Sequence, residues 1–300
     1  MDTLPSLQSP CTLCPRMCRA GRSDDRGPGF CQLPTSMLIG RIAPHLWEEP
    51  PISGTRGTGA VFFSGCTPKC VYCQNASISH TPQGRIYTPE MLAKSMRRLE
   101  DMGMQSISLI TATPYVPQIL EALRIYRPRV PLVWNTSGYE RVETLKLLEG
   151  VIDVYLPDLK HFSPSMSRLC AGVDDYFAVA SGAIREMVRQ CGVPSYDGDG
   201  IMTRGVLIRH LILPGSTGES IRLLQWVRDE LPEGIPVSLM QQYVPCNDLK
   251  VEGLRRRILP KEYRRVRDAM IALDLPGFYQ GPTSATKDFV PAFNQDESFV

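Results

Sequence analysis

Hydrophobic and polar positions change rhythm near residue 59. From Gly59 onward, short apolar runs alternate with stretches whose apolar residues recur at helical spacing. The runs are Ala60–Ser64, Ile107–Thr111, Val130–Trp134, Val151–Leu156, Val206–Leu213 and Val237–Met240. They are predominantly apolar without regular alternation, as expected of strands buried on both faces. Between them, Thr88 predicts a helix cap with Pro89 at the first position and Leu92, Met96 and Leu99 on one face. Val116–Tyr126, Glu140–Glu149 closed by Gly150, and Tyr176–Gln190 also read as helices. Ser216 with Glu219 predicts a capping box for a helix reaching Leu231, and Lys261–Leu273 reads as the last helix. Strands alternating with helices predict right-handed βαβ units around a parallel sheet. Six such units fall two short of a closed eight-fold barrel. The expected fold class is therefore α/β, an open partial (β/α)6 barrel. Beyond this alternation no internal repeat is present.

Before Gly59 the pattern differs. Residues 1–35 are rich in Cys, Pro, Gly and Arg without apolar periodicity, and read as a small cysteine-rich metal-binding module. Residues 36–58 read as a connector with a short strand, Met37–Ile42, and 59–300 as the barrel with its C-terminal helix. A chain of 300 residues, 43% hydrophobic, is long enough for one large core. Its net charge of +2 gives no electrostatic reason to expect nucleic acid or an anionic membrane. The first ten residues lack the basic start and apolar core of a signal peptide. No apolar run approaches the roughly 18 residues of a membrane span. These features predict a cytoplasmic protein, where clustered cysteines point to metal rather than to disulfides.

Of the ten cysteines, seven fall within residues 11–73, while Cys170, Cys191 and Cys246 are scattered and read as buried thiols. Cys66, Cys70 and Cys73 form C-x3-C-x2-C directly after the first buried run. Three thiolates in one loop suit a soft metal site. On a [4Fe–4S] cluster they leave one iron open, as a catalytic metal site requires. A zinc knuckle would want a fourth ligand nearby, and the next histidine is His80. Cys11, Cys14, Cys18 and Cys31 (C-x2-C-x3-C-x12-C) supply four thiolates and predict a second, closed site, zinc or iron–sulfur, suited to structure or electron transfer. Polar residues stand where the buried runs end. They are Thr111, Asn135, Asp158 with Lys160, and Gln241 with Tyr243, while Arg209 and His210 lie inside the run Val206–Leu213. Asp158 and Lys160, two apart in extended chain, face one side. Such strand ends hold the sites of α/β barrels. His210 also fits a core hydrogen bond.

Cys66–Cys73, with aromatic Tyr72 before the last cysteine, resembles the signature of radical S-adenosylmethionine (SAM) enzymes. The wider chain is similar to the pyruvate formate-lyase activating enzyme-like family, through the blocks Cys11–Cys18, Phe62–Cys66, Val154–Lys160, Arg209–Gly215 and Met240–Tyr243. The resemblance implies a barrel of radical SAM type and a [4Fe–4S] cluster whose open iron takes SAM. It implies reductive cleavage of SAM to a 5′-deoxyadenosyl radical, which abstracts a hydrogen from an unidentified protein or small-molecule substrate. The alternative is an activating enzyme that makes a glycyl radical on a partner enzyme. A flavodoxin- or ferredoxin-type electron donor is implied as partner. By the same resemblance Asp158 and Lys160 reach the ribose and carboxylate of SAM, and Arg209 lies near the carboxylate. Two positions depart from the family: Thr111-Ala112-Thr113-Pro114 stands where relatives carry Gly-Gly-Glu for the SAM amine, and Asn135 stands where activating enzymes carry an acid. The basic segment Arg255–Arg267 reads as a solvated helix or a face for an acidic partner.

Overall fold

A computed structural model of the chain describes residues 9–24, 27–246, 249–280 and 293. The strands are β1 (Met37–His45), β2 (Thr58–Phe63), β3 (Arg85–Tyr87), β4 (Ser106–Ile110), β5 (Leu132–Thr136), β6 (Val154–Pro157), β7 (Ser195–Tyr196), β8 (Met202–Val206), β9 (Ile208–Leu211), β10 (Val237–Met240) and β11 (Gly277–Tyr279). The helices are α1 (Pro50–Ser53), α2 (Ala76–Ser79), α3 (Pro89–Asp101), α4 (Val116–Ile125), α5 (Val142–Lys146), α6 (Pro164–Ala171), α7 (Tyr176–Cys191), α8 (Thr217–Glu230) and α9 (Pro260–Ala272).

Strands β2, β4, β5, β6 and β8 run parallel in that spatial order. Every residue of β2, β4, β5 and β6 is buried, including Ser106 and Ser108 on one face of β4. The expected strand Val206–Leu213 is split. Its first part, β8, pairs with β6, and its second, β9, pairs with β10. The wall continues across this break through a bridge between Asp158 and Arg209, with Leu159 N–H donating to the Arg209 carbonyl at 2.8 Å. The six expected units are present, and β11 adds a further parallel strand on β10. The sheet is mixed, because β1 pairs antiparallel with β2 and carries β3 on its outer edge. Residues 36–58 thus contribute a full strand to the sheet.

The Thr88 side chain caps α3 by accepting from Met91 N–H, and Leu92, Met96 and Leu99 are buried as the spacing predicts. The capping box expected at Ser216 does not form. Glu219 instead accepts from the N–H groups of Phe162 (3.1 Å) and Ser163 (2.8 Å), so its carboxylate ties α8 to the start of α6. Helix α6, not expected from the sequence, is capped by Ser163 and ended by Gly172 in the left-handed conformation, φ 66°. The N-terminal residues carry no helix among those described. They are sewn to the barrel instead. Leu13 and Leu33 are 1% exposed, Thr144 Oγ1 donates to the Leu13 carbonyl at 2.8 Å, and buried Arg22 donates to the carbonyls of Pro34 (3.0 Å) and Pro114 (2.6 Å). Among the described residues no helix is long and apolar enough to cross a membrane.

Candidate active site

The loop after β2 is held by its backbone. Gly65 has φ 82°, and a Cβ there would meet Leu33 at 2.6 Å, so only glycine fits. Its N–H donates to the Ile78 carbonyl (2.8 Å), and that of Cys66 donates to the Ser79 carbonyl (3.0 Å). The chain then turns so that Cys66, Cys70 and Cys73 line one cavity at the C-terminal ends of the strands. Cys73 Sγ lies 3.2 Å from Ser79 Oγ.

Thr111, Asn135, Asp158, Lys160, Arg209 and Tyr243 line the same cavity. Thr111 holds a left-handed φ of 61°, a strained state for a β-branched residue and one that gathers at functional sites. The centre of the cavity is a charge network. Arg209 donates through Nε to Asp158 Oδ1 (2.9 Å), through Nη1 to Glu48 Oε1 (2.8 Å) and through Nη2 to Asn135 Oδ1 (2.7 Å). Asn135 Nδ2 donates to Glu48 Oε2 at 2.8 Å, and Lys160 Nζ pairs with Asp158. Burial works to raise the Asp158 carboxyl, but Arg209 and Lys160 together hold it below the usual range. Burial likewise works to lower the Lys160 ammonium, and Asp158 more than offsets it.

Two of the expected polar residues lie off this wall. His210 is buried with both ring nitrogens engaged, Nδ1 on the Leu159 carbonyl (2.6 Å) and Nε2 on Ser220 Oγ (2.8 Å), which makes it a core link. Gln241 is tied to Gln280, its Nε2 donating to the Gln280 carbonyl at 2.7 Å. Tyr243 presents its ring to the cavity while its hydroxyl donates to the Leu254 carbonyl at 2.6 Å. Cys246 lies close to the site, its Sγ donating to the Tyr72 carbonyl at 3.2 Å. The sequence reading missed Glu48 and Glu49. Two acids beside Pro50 and Pro51 look solvated in a connector, and only strand pairing by β1 brings them to Arg209. Glu49 is fully buried, its Oε2 3.9 Å from Arg209 Nη1 and without a hydrogen bond.

The residues fit an iron–sulfur cluster. Burial pushes the Cys70 thiol up to about 12 and Cys66 well above its ordinary value, with Lys160 opposing. Such thiols ionise when a metal coordinates them. In a cubane each thiolate binds a different iron, so three cysteines along one loop can serve one cluster. Cys11, Cys14, Cys18 and Cys31 line a second, small cavity with Arg16, Phe30 and Thr67.

The radical SAM superfamily profile matches residues 60–227. An uncharacterized protein of Methanocaldococcus jannaschii is 29% identical over 266 residues, covering 85% of this chain and 72% of that one. A radical SAM methyltransferase from Sphaerobacter thermophilus has a similar structure, with a TM-score of 0.52 at 14% identity, over 74% of this chain. The match spans 66% of that methyltransferase's length, just under two thirds. A domain of a pyruvate-formate lyase-activating enzyme from Bacteroides vulgatus reaches a TM-score of 0.38 at 12% identity, over 64% of this chain and 91% of that domain, too low to bear on a subfamily. With its profile match covering more than half of the sequence, and with the cysteine loop seated above a parallel barrel wall, the chain belongs to the radical SAM superfamily, whose cofactors are a [4Fe–4S] cluster and SAM.

Proposed function

We propose that this protein cleaves SAM reductively at a [4Fe–4S] cluster on Cys66, Cys70 and Cys73 and directs the resulting radical at a hydrogen of a substrate not yet identified. The observation that carries this reading is that the three thiols and the Asp158–Lys160–Arg209 network line one cavity. When bound, the reduced cluster would give one electron to the sulfonium of SAM, whose S–C5′ bond would break to leave methionine and a 5′-deoxyadenosyl radical.

The residues of this chain divide the work of holding SAM. Arg209 donates from Nε, Nη1 and Nη2 to groups of the protein itself, so it positions Asp158, Glu48 and Asn135. Lys160 has Asp158 as its ion-pair partner and keeps 18% of its side chain exposed, and it is the cation assigned to the SAM carboxylate. Asp158, on the cavity wall, is the residue assigned to the ribose hydroxyls. Glu48 lines the cavity and supplies the acid for the SAM amine that Thr111-Ala112-Thr113 lacks. Tyr72, Tyr243 and Phe62 give apolar walls that restrict water around a reactive species.

Anaerobically reconstituted protein supplied with a reductant is expected to convert SAM to 5′-deoxyadenosine and methionine. A Cys66/Cys70/Cys73→Ala variant is expected to yield neither. Equal product from both proteins would overturn the reading.

A further inference from the structure

The four N-terminal cysteines are remote in sequence from the Cys66 loop, yet the two sets share a wall. Thr67, between Cys66 and Cys70, lines the small cavity of Cys11, Cys14, Cys18 and Cys31. Arg16, two residues after Cys14, donates through Nε to the Thr67 carbonyl (3.1 Å) and through Nη2 to the Gly172 carbonyl (3.2 Å). The Arg16 guanidinium lies 3.7 Å from the Phe30 ring centroid, and Lys69 of the cluster loop lies 4.8 Å from the same ring. The N-terminal thiols are also gathered. Cys11, Cys14, Cys18 and Cys31 all line the one small cavity, with Leu13 and Pro114 closing its apolar side. Gly29 is tight against Cys18, where a Cβ would stand 3.1 Å from the sulfur.

This donor set has four soft ligands, so it can saturate a centre and leave no position for SAM. The four thiols line one small cavity, and Thr67 of the Cys66 loop lines it with them. One edge of the set is open to solvent: Cys18 is exposed and stands beside exposed Arg19 and half-buried Arg16. A cationic rim around an exposed ligand suits an acidic redox protein.

We propose that Cys11, Cys14, Cys18 and Cys31 hold a second [4Fe–4S] cluster, closed to substrate, through which electrons from an acidic flavodoxin- or ferredoxin-type donor reach the Cys66 cluster. One electron leaves the reduced donor, reduces the N-terminal cluster and passes across the Thr67 wall, and no covalent bond of the protein forms or breaks. The inference rests on the reading of the Cys66 site only for the electron's destination.

Anaerobically reconstituted parent protein is expected to hold about eight irons per chain and to give two interacting paramagnetic signals on reduction. The Cys66/Cys70/Cys73→Ala variant is expected to keep about four irons per chain and one reducible signal. About four irons with about one zinc in the parent, or about four irons and no other metal, would overturn the proposal, and the parent measurement decides should the variant fail to fold. The second test uses Arg16→Gln and compares SAM cleavage driven by reduced flavodoxin with cleavage driven by dithionite. The ratio of the two rates is expected to fall about tenfold, since steering by a rim charge acts on association. An unchanged ratio would remove the electron-entry role. Iron retained in the cysteine variant beside a parent that cleaves no SAM would leave the N-terminal cluster standing and sink the Cys66 reading instead.

Discussion

Arg209 sits inside a short strand between Ile208 and His210, and the structure shows what keeps it there. A buried guanidinium needs partners, and it finds Asp158, Glu48 and Asn135. Removing Asp158 leaves two cations without their shared carboxylate. Asp158→Ala and Lys160→Ala are expected to weaken SAM binding roughly 10- to 100-fold, the equivalent of losing one charge-assisted hydrogen bond. The iron–sulfur absorbance is expected to persist, because neither residue is a soft ligand; titration calorimetry beside the absorbance spectrum checks both. Glu49 carries a pH signature. Burial, with Arg209 opposing, pushes its carboxyl up to about 8 from an ordinary 4.5. The unfolded chain ionises it near that ordinary value, while the folded chain resists until about 8. Its contribution to stability is therefore complete below pH 4.5 and drains away as pH rises towards 8. Glu49→Gln removes this linkage. The variant's Tm is expected to gain on the parent between about pH 5 and pH 8, by roughly 2–4 °C per kcal/mol relieved. A constant gap across that range would count against the assignment. Gly65→Ala forces a left-handed alanine against Leu33, costing about 1–2 kcal/mol before the clash is counted. Iron incorporation measured per chain is expected to fall with it.

Helix ends are where sequence pattern and tertiary contact divide. Thr88 and Pro89 act locally, so their cap forms as the spacing predicts. Ser216 and Glu219 have the spacing of a capping box, but Glu219 accepts from two backbone N–H groups of another segment. Those donors precede α6, and an anionic acceptor serves them better than a local hydroxyl would. Glu219→Ala is expected to cost about 1.5–3 kcal/mol, read as a lower denaturation midpoint at unchanged slope. Ser216→Ala is expected to shift it little, since its hydroxyl makes no cap contact.

Across the whole molecule, the N-terminal residues are part of the site's scaffold. Leu33 fills the space over Gly65, and Arg22 holds the carbonyl of Pro114 beside the end of β4. Deleting residues 1–35 would uncover Leu33's contacts and release the Cys66 loop from one side. The shortened protein is expected to bind substoichiometric iron at Cys66, Cys70 and Cys73, against about four irons per site in the full chain. Full occupancy in the shortened chain would show that the loop holds itself.

Local order in the chain determined the parallel strands, the α3 cap, the C-x3-C-x2-C loop and the polar strand ends, because each depends on residues within a few positions of one another. Six of the eight expected polar residues line the cavity on that basis. The tertiary structure alone decided the rest. Glu48 and Glu49 join Arg209 only because β1 turns back along β2, a pairing that composition around Pro50 conceals. His210 faces α8, and Gln241 turns to Gln280, because side-chain direction at a strand end follows the packed neighbour and not the residue type. The contact between the two cysteine sets through Thr67 and Arg16 joins segments 51 residues apart, a separation over which sequence pattern carries no register.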